Sequence, residues 1–321
     1  MSTKRRRGMG RLVLRRLLSS VPLLFIVSMI VFVLESFIPG DVARGVAGVS
    51  ATPAQIATLR REAGLDQPLW VQYAHWLANA LHGSLGNSLV DHSSVAGALT
   101  QRLPVTLSLV IGATLVSTLA GMVLGVLSSR GNRLVARLVD VLSIGGLAVP
   151  SFWLALILIS VFSVKLGLLP ATGYVALGDS PSGWAQSLIL PVIALSMNGI
   201  TAIAKLTREA MLDVLGSEFV RNLRANGIPE RSVVYRHALR SSAMRITTVS
   251  ALLFIGALGG SVVIENIFGI PGLGSLAVSA TTAKDFPVIQ GVAIYFTLLV
   301  VAVNLLTDVT YGWINPRVRT Q

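Results

Sequence analysis

Six long runs of apolar residues divide this sequence, and each is long enough to cross a lipid bilayer as a helix. The runs cover residues 12–34, 105–127, 141–164, 188–204, 246–268 and 287–309. A spanning helix needs about 20 mostly apolar residues, because the hydrocarbon core is roughly 30 Å thick and each helical residue rises about 1.5 Å. Spanning β-strands would show alternation over about 10 residues. The continuous runs therefore predict an all-α integral membrane protein with six transmembrane helices.

Composition and charge agree with this class and add an orientation. Hydrophobic residues make up 53% of the chain and charged residues 12%, and the mean hydropathy is +0.74. If the chain crosses the membrane six times, 20 of its 26 lysines and arginines lie on the same side as the N-terminus. Basic residues concentrate in cytoplasmic loops, so both termini are predicted to be cytoplasmic. The first apolar run exceeds a typical signal-peptide core and lacks a small-residue cleavage site, which favours a retained helix.

The apolar runs lack the chemistry of several function classes. No ionisable residue lies in the middle of a run, and Glu35, Lys165, Glu265 and Asp308 lie near the ends, where headgroups or water can accommodate them. Ion-coupled carriers usually need such groups at mid-membrane, so a secondary carrier is disfavoured, although a carrier or passive channel stays the alternative class. No lysine is preceded by glycine, so no phosphate-binding loop is present.

Catalytic and metal sites are not predicted either. The four histidines lie outside the apolar runs, with no spacing typical of a metal site, and the chain has no cysteine. A buried serine and histidine pair of the kind found in proteases is not visible. We therefore expect no catalytic, cofactor or metal site in this chain, and any ATPase must be a separate protein.

Two long segments outside the runs show helical patterns. Between the first two runs, Thr52 followed by Pro53 is typical of a helix start, and residues 68–77 predict a second, aromatic-bearing helix at the outer interface. Residues 205–245 form the longest cytoplasmic segment. Five of its apolar residues recur at three- and four-residue steps: Leu212, Leu215, Phe219, Val220 and Leu223. This pattern predicts one amphipathic helix that ends near Gly227, just before Pro229. A second helical segment is expected over residues 231–240.

This cytoplasmic segment resembles the coupling loop of binding-protein-dependent ABC import permeases. That loop has a Glu-Ala-Ala, three residues, Gly, nine residues, Ile-x-Leu-Pro signature. Alignment on Gly227 places Arg221, Asn222 and Leu223 at the first three positions and residues 237–240 (HALR) at the last four. Only Gly227 and Leu239 match the general signature. The sequence FVRNLRANG of residues 219–227 is closer to the peptide-type branch, from which Asn222 and Leu223 depart.

Further motifs extend the resemblance over nearly the whole chain, to the first permease subunit of dipeptide and oligopeptide ABC importers. They lie at residues 37–41, 64–68, 103–109, 150–154, 265–274, 304–308 and 315–319. The resemblance implies a type I (MetI-like) importer permease architecture with four parts: 1–36, a basic cytoplasmic N-terminus and first span; 37–104, an extracytoplasmic helical segment; 105–311, the permease core with the coupling loop 205–245; and 312–321, a cytoplasmic tail.

The same resemblance implies a location in a prokaryotic inner membrane, a function and its partners. The chain would pair with a homologous second permease subunit above two ATPase subunits, or one twofold ATPase chain, which bind ATP and Mg²⁺. An extracytoplasmic binding protein would deliver di- or oligopeptides. Similar permeases import nickel, glutathione or opines, so cargo stays open. The residues expected to couple the chain to its ATPases are Phe219, Arg221, Asn222, Leu223, Arg224, Gly227, His237 and Leu239.

Overall fold

The computed structural model describes residues 2–37, 51–62, 64–130 and 133–314, and most residues within these ranges are helical. The motif at 315–319, the tail 312–321 beyond Ile314 and most of the motif at 37–41 lie outside the described residues. In chain order the helices are α1 (Ser2–Ser36), α2 (Pro53–Glu62), α3 (Leu69–Leu81), α4 (Val95–Ser129), α5 (Arg133–Ala148), α6 (Ser151–Lys165), α7 (Pro181–Leu215), α8 (Glu218–Ala225), α9 (Glu230–Ile267), α10 (Leu273–Ala283) and α11 (Phe286–Ile314).

Five helices of the described part are long and apolar enough to cross a membrane. These are the segments Leu14–Ser36, Val95–Ser129, Pro181–Leu215, Glu230–Ile267 and Phe286–Tyr311. They correspond to five of the six predicted runs, and most of them extend past the ends of the run. The all-α membrane fold is therefore confirmed.

The remaining predicted run, 141–164, which is the third in chain order, is not one continuous helix. Helix α5 ends at Ala148, and Pro150 precedes α6 with extended backbone angles of φ −61° and ψ 137°. A proline disfavours helical geometry in the residue before it and cannot donate a backbone hydrogen bond. The Pro150 carbonyl then accepts the amides of Trp153 and Leu154 at 3.1 Å, which starts the new helix. The run is thus divided into two shorter helices, and α6 ends in a π-helical stretch, Ile159–Lys165.

The chain forms two compact units, the first of which contains residues Met1–Val105 and Pro271–Ala302. Here the predicted start of α2 is confirmed, because the Thr52 amide donates to Gln55 Oε1 at 2.8 Å and the Gln55 amide donates to Thr52 Oγ1. This reciprocal pair is a capping box. Helix α3 packs on α1 through Tyr73, whose ring lies 5.4 Å from the ring of Phe32 and whose hydroxyl is 2.9 Å from Ser28 Oγ.

Within the same unit, a buried carboxylate holds the connection between α3 and α4. Asp285 is nearly fully buried, accepts a short hydrogen bond from Ser88 Oγ and accepts the Leu89 amide at 3.1 Å. Beside it, residues of α4, α10 and α11 form an apolar core that includes Val95, Leu99, Leu273, Ala280, Val288 and Val292. Asp285 therefore fixes the start of α11 to a loop almost 200 residues earlier in sequence.

The second unit contains Thr106–Ile270 and Val303–Gln321, and its helices approach closely at small residues. A Cβ atom on Gly125 would lie 2.5 Å from Thr207 Cβ and 2.7 Å from the Ala204 carbonyl oxygen of α7. Only glycine allows α4 and α7 this separation, as small residues do in membrane helix pairs generally. Gly125 thus permits close helix packing, whereas Gly256 and Gly259 have open space around them within the described structure.

Two acidic residues near span ends are buried in protein rather than accommodated by water. In the second unit, Glu265 is fully buried and its Oε1 accepts a hydrogen bond of 2.7 Å from Thr106 Oγ1, which is also fully buried. In the first unit, Glu35 is 5% exposed. The expectation that headgroups or water surround these side chains is wrong for Glu35 and Glu265, because packing from distant segments covers both.

Candidate functional site: the loop between α7 and α9

The predicted single amphipathic helix of residues 212–227 is two helices. Helix α7 continues past its apolar part to Leu215, and Gly216 and Ser217 then interrupt it before α8 begins at Glu218. The Ser217 hydroxyl caps α8 by accepting the Val220 amide at 3.5 Å. Glycine followed by serine is a typical pair of helix stop and start residues, so the sequence contained this signal. The interruption lets α8 point in a new direction from α7.

The two apolar neighbours in α8 have opposite environments. Val220 is fully buried, whereas Phe219 is 51% exposed. The Phe219 ring contacts the His237 ring edge-on at a centroid distance of 6.1 Å and an interplanar angle of 67°. Leu223 is half-buried. Val220 is thus the anchor of α8 on the rest of the chain, and Phe219 is the large apolar side chain that α8 presents outward.

Gly227 closes α8 with left-handed backbone geometry, as the sequence predicted. Its φ is +75°, its amide donates to the Arg224 carbonyl at 3.0 Å, and the Ile228 amide donates to the Leu223 carbonyl at 3.1 Å. These two bonds make a Schellman turn, which satisfies carbonyls at a helix end and favours glycine. The turn reverses the chain, so that Pro229 leads directly into α9.

An ion pair spans this turn. Arg224 donates from Nε to Glu230 Oε2 at 3.0 Å and from Nη2 to Glu230 Oε1 at 2.7 Å, the two-pronged geometry in which arginine binds carboxylates best. These hydrogen bonds raise the pKa of the Arg224 guanidinium above its ordinary value, so it stays charged at any physiological pH. Both side chains are exposed, so the pair contributes geometry more than stability.

An apolar base joins the two elements that α8 contacts. Val126, Met211, Val234 and Ala238 form a buried cluster, with Leu239 packed against it. Val234 and Ala238 belong to a π-helical stretch, Val233–Ala238, near the start of α9, and α8 contacts both this stretch and α7. A displacement of α8 would therefore act on α7 and α9 together.

The eight residues predicted to couple the chain to its ATPases fall into three groups. Exposed side chains on α8 are Phe219, Arg221, Asn222 and Arg224; Leu223 and His237 are half-buried beside them; and Gly227 and Leu239 shape the turn and the base. The structure brings Phe219 against His237 and Arg224 against Glu230. Sequence reasoning missed Ser217 and Glu230 and did not distinguish Val220 as the buried anchor. The coupling role of these residues stays a prediction.

Comparison with known proteins covers almost the entire chain. Residues 117–320 match the family described as binding-protein-dependent transport system inner membrane component, and residues 9–110 match the corresponding N-terminal family. A putative peptide transport system permease protein of Brucella abortus (strain 2308) is 41% identical over 313 residues, which is 97% of this chain and 99% of the relative. The glutathione transport system permease protein GsiC of Escherichia coli O6:H1 (strain CFT073) is 40% identical over 96% of this chain and 98% of its own.

A solved structure shares the fold. A chain of the MetNI methionine ABC transporter, in an inward-facing conformation, aligns with a TM-score of 0.52 and 16% identity over 68% of this chain and 97% of that one. At this identity the match shows the fold alone, which agrees with the predicted MetI-like architecture. The family match and the relatives go further, because they cover both the N-terminal part and the core. The chain belongs to the family of binding-protein-dependent transport system inner membrane components.

Proposed function

We propose that this chain is the permease subunit of an ATP-driven importer that takes up di- or oligopeptides. The observation that supports peptide cargo is the 41% identity to a putative peptide transport permease across nearly the full length of both proteins. Glutathione, itself a short peptide, is the second candidate, supported by the 40% identity to GsiC. The chain provides the membrane pathway and no catalytic group.

The proposed complex supplies what this sequence lacks. A homologous second permease, two ATPase subunits or one twofold ATPase chain, and an external binding protein would complete it. ATP and Mg²⁺ would bind to the ATPases, because the chain contains no phosphate-binding loop. The distribution of basic residues supports cytoplasmic termini, which places α8 on the cytoplasmic side and α2 and α3 outside.

Helix α8 is the proposed contact with the ATPases. It is short, anchored from one side by Val220, and presents Phe219 outward together with Arg221 and Asn222. An exposed aromatic ring beside an arginine is a typical composition for the centre of a protein interface. The alternative is a helix that lies on the membrane surface, for which an exposed phenylalanine would also serve.

Coupling would follow from the way α8 is held. When the ATPases close on ATP, they would push α8 as a rigid body, because the Schellman turn and the Arg224–Glu230 pair fix it to α9. The apolar base then transmits the movement to α7 and α9, whose tilt would switch the pathway between inward- and outward-facing states.

The substitution Phe219→Asp tests the docking role. Loss of a well-packed interface anchor costs about 2 kcal/mol or more, roughly a 30-fold loss of affinity, and a desolvated aspartate adds to this cost. We expect the variant to insert normally, since the loop lies outside the apolar runs, but to lose its ATPase subunits on purification. Leu177→Asp is the matched control, because Leu177 is similarly exposed at 55% but lies in the loop before α7.

The result that refutes the docking role is equally definite. If Phe219→Asp retains its ATPases and transports as well as the Leu177→Asp variant, the membrane-surface alternative describes α8 better. Cargo is tested separately with cells that lack this chain. They should resist toxic peptide analogues, and retained peptide uptake with lost glutathione uptake would identify glutathione as the cargo.

A further inference from the structure

An asparagine faces outward from the middle of a spanning helix in the second unit. Asn198 lies near the centre of the apolar run 188–204 of α7, its side chain is exposed, and its carboxamide makes no hydrogen bond within the described part of the chain. A carboxamide against lipid tails would lose the hydrogen bonds that water provides, so asparagines in membranes normally bond to a neighbouring helix. Asn198 therefore needs a polar environment that the described residues do not supply.

The same face of α7 stays polar towards α8. Lys205 and Glu209 follow Asn198 by seven and eleven residues, so the three side chains lie within about 20° of one line along the helix. All three are exposed. Charged residues on spanning helices typically face a water-filled cavity or the interior of a helix bundle. A line of polar side chains thus leads from the middle of the span to its end.

Helices α7 and α9 pack closely at the level of Asn198. A Cβ atom on Gly260 would lie 3.0 Å from Leu195 Cδ1, and one on Gly199 would lie 3.4 Å from Leu253 Cδ1. The later residue of α7 thus meets the earlier residue of α9, so the two helices run antiparallel here. These contacts define which side of each helix faces the other.

The exposed side of α9 lies beside Asn198. Asn198 follows the contact residue Leu195 by three positions, and Gly256 follows Leu253 by three, a rotation of about 60° in the same sense on each helix. In an antiparallel pair, equal rotations bring both residues to the same side. The exposed residues of α9 within the apolar run 246–268 all lie along this side: Thr248, Leu252, Gly256, Gly259, Val263 and Asn266.

Helix α4 has an exposed side of the opposite character. Within the apolar run 105–127, its exposed residues are all large and aliphatic: Ile111, Leu115, Val116, Leu119, Val123 and Leu127. Such a side matches lipid tails. On α9 only Leu252 and Val263 are of this kind, and α7 adds Asn198. We call the exposed side shared by α7 and α9 the α7–α9 face, and its composition does not match lipid.

We infer that the α7–α9 face is one wall of a water-filled cargo pathway and that the Asn198 carboxamide hydrogen-bonds to passing cargo. The inference rests on the proposed importer function, which requires a hydrated solute to cross the membrane. A carboxamide offers two donors and one oxygen with two acceptor sites, which match the N–H and C=O groups of a peptide backbone. Beside it, a Cβ on Gly256 or Gly259 would meet no atom within 4 Å, so this part of the wall is open.

The chain has no cysteine, so single introduced cysteines can report which side chains face water. Asn198→Cys and Gly256→Cys lie on the wall, and Leu119→Cys on α4 is the matched control. Leu119 is at the depth of Asn198, because Ser117 Oγ donates to the Ser196 carbonyl oxygen at 3.0 Å. Each variant is assembled with cysteine-free partner subunits in nanodiscs and treated with a trimethylammonium methanethiosulfonate, with and without ATP.

We expect both wall cysteines to react about 100-fold faster or more than the α4 cysteine in at least one of the two nucleotide states. The charged reagent is excluded from hydrocarbon, and the reactive thiolate does not form there. A cysteine fits at Gly256 without a clash, so this variant keeps the test decisive if Asn198→Cys does not assemble.

Uptake measurements test the cargo contact of Asn198. Asn198→Ala should assemble normally but lower peptide uptake about three- to tenfold, as one lost hydrogen bond implies. Asn198→Gln keeps the carboxamide and should retain more of the uptake, and Leu119→Ala should transport like the parent. Parental uptake by Asn198→Ala would contradict the cargo contact.

Two labelling results would overturn the wall assignment. Wall cysteines that react in the full chain alone but are shielded in the assembled transporter, with and without ATP, would show that the face binds a partner subunit. Wall cysteines that react no faster than the α4 cysteine would remove the distinction between the two faces. Failure of the proposed function is a separate result, because a parent transporter without ATP-driven uptake contradicts that function, whereas normal uptake with unreactive wall cysteines contradicts this inference alone.

Discussion

Gly227 is the position at which backbone geometry makes the sharpest prediction. Its φ of +75° is unfavourable for any residue with a Cβ, yet a Cβ built there meets no atom within 4 Å. The cost of Gly227→Ala is therefore conformational only, about 1–2 kcal/mol for an alanine held in the left-handed region. Gly227→Asn should cost less, because asparagine adopts this region more readily.

A local penalty of this size acts on the turn rather than on the whole fold. It should raise the open population of α8 and its Schellman turn by roughly 5- to 30-fold. Hydrogen exchange of the amides over residues 218–228, measured by mass spectrometry on the full chain, reports this population. In the assembled complex the same variant should lose part of its cargo-stimulated ATP hydrolysis, since a loosened α8 transmits less movement.

Gly216→Ala is the matched control on the same loop. Gly216 has a φ of −82°, and its added Cβ would lie 3.4 Å from the Leu212 carbonyl oxygen, an ordinary contact. Its exchange should stay near that of the parent. If Gly227→Ala exchanges no faster than Gly216→Ala, the left-handed turn does not hold α8 and the reasoning is wrong.

Three further predictions concern topology, packing and catalysis. A reporter after Ser180 should lie outside and one after Ser232 inside, and two reporters on the same side would contradict the proposed orientation. Gly125→Ala should lower the melting temperature, because its Cβ would overlap Thr207 at a cost of about 1–3 kcal/mol, whereas Gly256→Ala, with open space around it, should not. The purified chain alone should release no phosphate from ATP above a blank, and robust hydrolysis by a pure sample would exclude a separate ATPase as the only source.

Local chemistry was predictable from the sequence. The capping box at Thr52, the left-handed turn at Gly227 and the interruption at Pro150 each depend on a few adjacent residues whose preferences act within one turn of helix. The apolar runs likewise indicated the spanning helices, because the bilayer thickness fixes their minimum length. Two consequences of local chemistry were missed because the apolar pattern continues across them: the division of run 141–164 at Pro150 and the interruption at Gly216 and Ser217.

The apolar pattern could not tell which neighbour would cover each residue. Phe219 and Val220 are adjacent and both apolar, yet only Val220 is buried in this chain. In a membrane protein, lipid, a partner subunit and the chain's own core all satisfy an apolar side chain. Periodicity therefore shows that a residue prefers apolar surroundings, but it does not show whether lipid, a partner subunit or the chain's own core supplies them.

Long-range polar contacts were decided by tertiary structure alone. The Thr106–Glu265 hydrogen bond joins residues 159 positions apart, and the Ser88–Asp285 hydrogen bond joins residues 197 positions apart. Nothing in the sequence around these residues differs from an ordinary span end or loop. Their burial depends on which helices pack together, and that packing is set by close approach at residues such as Gly125, where a single missing Cβ determines how near two helices can lie.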